Sequence, residues 1–177
     1  MIIKSVVGDL LSAPETYIAQ LCVTVRAHGL SKAIAVKYPW ADVYKHRPVD
    51  GQRNRTTHPD VLDTVKVSAS DNRSVICMFA QWAPGKCHAY SRFYPSALYS
   101  DDETSRRAWF KACLDKIDAL NLNVVAIPAY IGCGLAGGSW VHYRKMIEAA
   151  TTQFIIYKSA FYLNKQKKKH PSYNAEK

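Results

Sequence analysis

A chain of 177 residues, 48% of them apolar, has the length and composition to bury the core of one domain. No uninterrupted apolar run approaches a membrane span, and Met1 to Gly8 lacks the charged region, long apolar region and cleavage site of a signal peptide. Export and membrane association are therefore not expected, and the reading is a cytoplasmic or nuclear protein. The net charge of +10, from 24 Lys and Arg against 14 Asp and Glu, suits anionic ligands and, nonspecifically, nucleic acid.

Along the chain, apolar and β-branched runs predict strands over Ile2–Val7, Tyr17–Val25, Val65–Val67, Val75–Phe79, Val124–Ile127 and Phe154–Tyr157. Leu30 to Lys37, with apolar residues at 30, 33 and 34, predicts a short helix after Gly29. Arg47 to Asp60 is almost devoid of apolar residues and is expected to be a mobile loop. Thr104 to Leu120 repeats Trp109, Ala112, Cys113, Ile117 and Leu120 at helical steps, with Asp101, Asp102 and Glu103 favourably placed before its N-terminus. Val141 to Ala150 predicts the last helix. The tail from Lys165 to His170 is basic and runs into Pro171 and polar residues, so residues 161–177 are expected to be disordered. Strands alternating with helices imply a single α/β domain, residues 1–160, with helices on both faces of the sheet.

Between the strand ending at Pro128 and the last helix lies Ile131-Gly132-Cys133-Gly134-Leu135-Ala136-Gly137-Gly138-Ser139-Trp140. Its glycines permit φ > 0 and leave no Cβ in the way of a ligand. Successive N–H groups beside a helix N-terminus form an anion nest, which suits phosphate. The loop lacks the Gly-Lys-Ser/Thr end of a Walker loop. It also stands too late in the chain for a dinucleotide fingerprint, which follows the first strand.

In an open α/β sheet, ligands gather outside the carboxyl ends of the strands. The first strand exits into Gly8-Asp9-Leu10, the second into Thr24 to Lys32, and another into Ala80 to Lys86. With the glycine loop, these exits offer a carboxylate, a histidine, cations, aromatic surface and backbone donors. The five cysteines, at 22, 77, 87, 113 and 133, are an odd set without a Cys-x-x-Cys pair. That spacing excludes the usual finger and ribbon metal sites and disfavours a disulfide framework. Most read as small core residues; Cys133 is exposed by its position in the glycine loop, but no base partner for a nucleophile is evident. No metal or cofactor is expected.

Gly8-Asp9-Leu10-Leu11, His28-Gly29-Leu30-Ser31-Lys32-Ala33-Ile34-Ala35, Phe79-Ala80-Gln81 followed by Pro84-Gly85-Lys86, and Ile131 to Trp140 resemble, in order and spacing, the macro domain. The nearest branch is the ADP-ribose 1″-phosphate phosphatase type, and the resemblance runs from about residue 2 to 158. It implies a three-layer α/β/α domain with a mixed central sheet that binds ADP-ribose or its 1″-phosphate. It assigns Asp9 to the adenine, His28 to phosphate-ester hydrolysis and Ile131 to Gly138 to the diphosphate. The ligand-binding set it implies is Gly8, Asp9, Leu10, Thr24, Arg26, Gly29, Leu30, Ser31, Ile131, Gly132, Cys133, Gly134, Leu135, Ala136, Gly137, Gly138 and Trp140. His28 and Ser139 are the catalytic candidates. The branch usually carries Gly-Gly-Asp-Trp where this chain has Gly137-Gly138-Ser139-Trp140, and serine without a partner is a poor general base.

Each residue also has a plainer reading. Asp9 suits a turn that bonds its own backbone. Ser139 is a good N-cap. Arg26, Lys32 and Lys86 either pair with phosphate or are solvated, and Trp82 and Trp140 either stack on a ligand or pack. The activity implied is removal of the terminal phosphate of ADP-ribose 1″-phosphate. The alternatives are a non-catalytic ADP-ribose-binding module and a hydrolase that removes ADP-ribose from proteins. Nucleic-acid contact through the basic tail rests on charge alone.

Overall fold

The computed structural model describes residues 1–24, 27, 29–45, 49–50, 53–54, 63–70, 72–87 and 100–160. Strands β1 (Ile2–Val7), β2 (Tyr17–Val23), β5 (Val65–Ser70), β6 (Arg73–Gln81), β7 (Val124–Pro128) and β8 (Gln153–Lys158) form one sheet in the order β1-β8-β7-β2-β6-β5. All neighbours are parallel except β5, which runs antiparallel to β6. The carboxyl ends of β1, β8, β7, β2 and β6 therefore share one edge. Two short strands, β3 (Val49–Asp50) and β4 (Arg53–Asn54), pair with each other inside the segment expected to be a mobile loop, most of which lies outside the described residues. The expected disordered tail, 161–177, lies wholly outside them.

Helices α1 (Leu30–Lys37), α2 (Glu103–Ala119) and α3 (Trp140–Ala149) complete the fold. Period-two alternation divides each central strand between two cores. Ala19, Ile76, Met78, Ala80, Val125, Ile127, Phe154 and Ile156 face α2 and α3. Ile18, Cys22, Val75, Cys77, Phe79, Ala126, Ile155 and Tyr157 face Ile34 of α1 and the turn at Leu10. The expected mixed sheet between helical layers is the architecture found. Strands buried on both faces are continuous apolar runs, which is why they were legible.

The buried face of α2 keeps Cys113 and Ile117 of the expected one but is rotated and shortened around them. Arg106, Phe110, Cys113, Leu114 and Ile117 are buried, whereas Leu120 is exposed beyond the helix end. Phe110 and Ile117 are fully enclosed, and burial of each contributes about 1.5–3 kcal/mol. Asp102 caps the helix, its carboxylate accepting from the Ser105 N–H at 2.6 Å. On α1, Ser31 and Ile34 face inward, and Val36 is exposed. Strands β5 and β6 outrun their expected ends, because hairpin pairing carries polar Ser68, Ser70, Arg73 and Ser74 into the ladder.

Candidate functional site

The glycine loop lies at the shared edge, between β7 and α3. Its entry is strained: Tyr130 has φ 58°, unusual for a bulky side chain. Its carbonyl accepts from Cys133 N–H at 2.9 Å, and its ring packs against Trp140 with centroids 5.3 Å apart. The four glycines do different things. Gly132 and Gly137 sit at φ 70° and 74°, whereas Gly134 and Gly138 do not adopt positive φ as expected. Gly138 lacks room instead: a Cβ there would lie 2.7 Å from the Gly132 carbonyl oxygen and 2.8 Å from the Tyr143 ring. The same ring would meet a Cβ on Gly132 at 2.9 Å. Tyr143 is buried, so its ring is the floor on which the loop folds back, closed by Gly138 N–H donating to the Gly132 carbonyl at 3.0 Å.

Gly134 faces outward, with nothing within 4 Å of its would-be Cβ. Among the described residues, no protein acceptor takes the N–H groups of Gly134, Leu135 and Ala136. Three successive free donors on an accessible arc, one turn before α3, are suited to an anion. Leu135 is 82% exposed on that arc.

The other strand exits surround the loop. Gly8 N–H donates to the Lys158 carbonyl at 3.0 Å, tying β1 to β8 where both leave the sheet. Asp9 is exposed and caps a short turn, accepting from Leu11 N–H at 3.0 Å and the Ser12 hydroxyl at 3.3 Å. Its plainer reading is realised, and its carboxylate still faces solvent. Leu10, Ile131 and Ser31 are buried, and Leu30 packs on the α1-side core, so their side chains serve packing. Thr24 is fully buried and its hydroxyl donates to the Trp82 carbonyl at 2.8 Å, joining the exits of β2 and β6. Gly29 begins α1 at φ 52° with open space beside it. Val25, Arg26 and His28 lie outside the described residues.

Arg106 is a cation that is only 2% exposed, where arginine is mostly found at the surface. It binds Asp101 through two contacts of 2.7 and 2.6 Å, and donates to the carbonyls of Ala83 at 3.2 Å, Gly85 at 2.7 Å and Ala136 at 3.3 Å. One guanidinium thus ties α2, the β6 exit and the glycine loop together. The fork of five donors suits this task, and the ion pair limits the cost of burial. Nothing in the local sequence distinguishes Arg106 from its neighbour Arg107, which is far more exposed.

The remaining candidates sort by burial. Trp82 is buried against Trp109, and Trp140 is half-buried against Tyr130. Ser139 occupies the N-cap position of α3, as its plainer reading expects, yet its hydroxyl makes no capping bond. Cys133 is half-buried rather than exposed, its thiol donates to the Ile131 carbonyl at 3.1 Å, and burial pushes its pKa to about 12. Burial thus disfavours the thiolate, the form in which a cysteine acts as a nucleophile. Iodoacetamide at pH 8 is expected to leave Cys133 unlabelled in the folded protein by mass spectrometry. Rapid labelling there would contradict its placement.

Elsewhere, Tyr38, Trp40, Ser70, Asn72 and Arg73 line an open hollow at the opposite end of β6. Its arginine is already engaged by the carbonyls of Ala13 and Glu15. Among the described residues, no cluster of His, Cys, Asp and Glu is placed to hold a metal. None of the described helices is long and apolar enough to cross a membrane.

A six-stranded mixed sheet between helical layers, with a glycine-rich turn at its carboxyl edge, is the macrodomain fold. In particular, the chain is similar to the macrodomains of DarG from Thermus aquaticus and from Mycobacterium tuberculosis. The identities are 16% and 18%, each with a TM-score of 0.55 and coverage of 89% of this chain and 97% of that one. A variant of the Oceanobacillus iheyensis macrodomain with ADPR is similar at 13% identity and a TM-score of 0.52, over 95% of this chain and 93% of that one. An alphavirus P23pro-zbd structure shows 13% identity and a TM-score of 0.57, but the chain spans only 21% of its length. No family model matches the sequence, and no curated relative does.

Proposed function

We propose that this protein binds ADP-ribose at the carboxyl edge of its sheet, with the diphosphate on the glycine loop. The observation that carries this reading is the run Gly134-Leu135-Ala136, whose N–H groups have no protein acceptor among the described residues, held over Tyr143 by glycines that admit no side chain. The fold supports it, since the Oceanobacillus iheyensis macrodomain has been seen with ADPR and with ADP. Asp9, exposed at the β1 exit, is assigned to the adenine amine, a charge-assisted contact.

Two glycine variants test the loop. Gly134→Val enters open space at a φ outside the left-handed region, so stability should hold while the isopropyl group fills the ligand side. ADP-ribose affinity is expected to fall at least about tenfold by calorimetry, a loss of about 1.4 kcal/mol. Gly138→Ala meets backbone oxygen at 2.7 Å, so it should lower both stability and affinity. Unchanged affinity in Gly134→Val would make the loop a packing device. Absence of binding by the native chain at millimolar ADP-ribose would remove the reading altogether.

The finer proposal is slow hydrolysis of ADP-ribose 1″-phosphate. Water attacks phosphorus, the bond from phosphorus to the ribose 1″ oxygen breaks, and ADP-ribose and inorganic phosphate leave. The resemblance around His28-Gly29-Leu30 supports this, with the imidazole taking the proton from water; histidine titrates near neutrality and suits the task. Ser139, in place of the branch's usual carboxylate, is the reason the reaction is expected to be slow.

A further inference from the structure

We infer that Lys86 is the cation of the phosphate site, held against the glycine loop so that its charge reads the ligand's diphosphate. The inference rests on the ADP-ribose reading for the nucleoside, but not for the anion.

Lys86 ends the β6 exit, well separated in sequence from the loop it touches. Its Cγ, Cδ and Cε lie 2.9, 3.5 and 3.6 Å from the position a Cβ on Gly137 would take. The aliphatic stem therefore lies along the loop, and Gly137 is the residue that makes room for it. Gly137 also needs its φ of 74°, so steric room and backbone conformation both favour glycine. The contact is fixed by the Arg106 staple. The guanidinium binds the carbonyl of Gly85, which precedes Lys86, and that of Ala136, which precedes Gly137. Both loop segments are thus held by one buried group, and Asp101 answers its charge. Arg106 is used up in this task, whereas no carboxylate or carbonyl among the described residues takes the Lys86 ammonium. A lysine stem commonly lies on a surface while its charged head stays in water. Here the surface is Gly137, the residue that follows the Gly134–Ala136 run, and a cation beside oriented N–H groups strengthens the local positive potential.

Lys86→Met and Lys86→Arg separate charge from packing, since methionine keeps an unbranched stem and arginine keeps the charge. The probes are ADP-ribose and inorganic pyrophosphate, titrated at low and moderate salt. Lys86→Met is expected to bind both about 5–10-fold more weakly, as for a partly solvated charge-assisted contact, with a flatter salt dependence. Lys86→Arg is expected to stay within about twofold of the native chain. Equal affinity of Lys86→Met and the native chain for both probes would overturn the inference. So would equal losses in both variants, which would mean that the stem matters and the charge does not. Lys86-dependent binding of pyrophosphate without binding of ADP-ribose would keep the anion site and discard the nucleoside. No binding of either probe by the native chain would discard both.

Discussion

Arg106→Ala is expected to lower stability by about 3–5 kcal/mol, because it strands a buried carboxylate and opens three carbonyl contacts at once. The Asp101 side chain, only 11% exposed, would lose its cation and keep only the Ala83 N–H at 3.3 Å, while Ala83, Gly85 and Ala136 would lose their shared donor. In a protein of this size the loss corresponds to a melting-temperature decrease of roughly 6–20 °C. Arg106→Lys keeps the charge but not the fork, and should fall between the native chain and the alanine variant. Thermal and urea unfolding measure both. A change below about 1 kcal/mol in Arg106→Ala, small beside the loss expected for a broken buried pair, would show that the staple is not formed in solution. Ligand affinity should fall with the staple, because two walls of the site hang from it.

Ser139→Asp carries the largest expected change in rate. If the branch's carboxylate supplies general acid–base assistance, restoring it should raise turnover of ADP-ribose 1″-phosphate about 10²–10⁴-fold. The position tolerates the change: Ser139 has the extended backbone of an N-cap, φ −87° and ψ 116°, and its hydroxyl makes no capping bond that would be lost. Aspartate is a strong N-cap and complements the helix dipole, so stability should hold or rise. The added charge should raise KM somewhat by repelling the diphosphate. His28→Ala should lower turnover in both backgrounds with less effect on ADP-ribose affinity. Phosphate release is the measurement. No turnover in either the native chain or the Ser139→Asp variant, with tight binding retained, would make the protein a binding module. Fast native turnover indifferent to both substitutions would place the chemistry on other residues.

The place of the candidate site is legible in the sequence because glycines and strand exits leave local marks. The run from Ile131 to Trp140 announced a turn between a strand and a helix, and such turns fall where parallel strands end. What each glycine does was not legible. Gly134 and Gly138 look alike in sequence, yet one borders open space and the other lies against Tyr143 and the Gly132 carbonyl. Cys133 looked exposed for the same reason, since a loop position does not say which way a thiol points. The α2 pattern misplaced Leu120 inside because a helical repeat does not reveal where the helix leaves the sheet.

The sequence by itself determined the alternation of strands and helices, the α/β class and the place of the glycine-rich turn. These follow from local physics: apolar runs with β-branched residues form buried strands, amphipathic spacing forms helices, and glycine permits the turn. Only the tertiary structure decided the strand order, the division of glycines between packing and access, and the two cations at the loop. Arg106 and Lys86 stand far before Ala136 and Gly137, the loop residues they reach; Lys86 is marked in sequence only as a strand-exit cation, and nothing local marks Arg106. Whether a cation is buried as a staple or laid along a nest depends on which distant carbonyls and open faces the fold brings beside it.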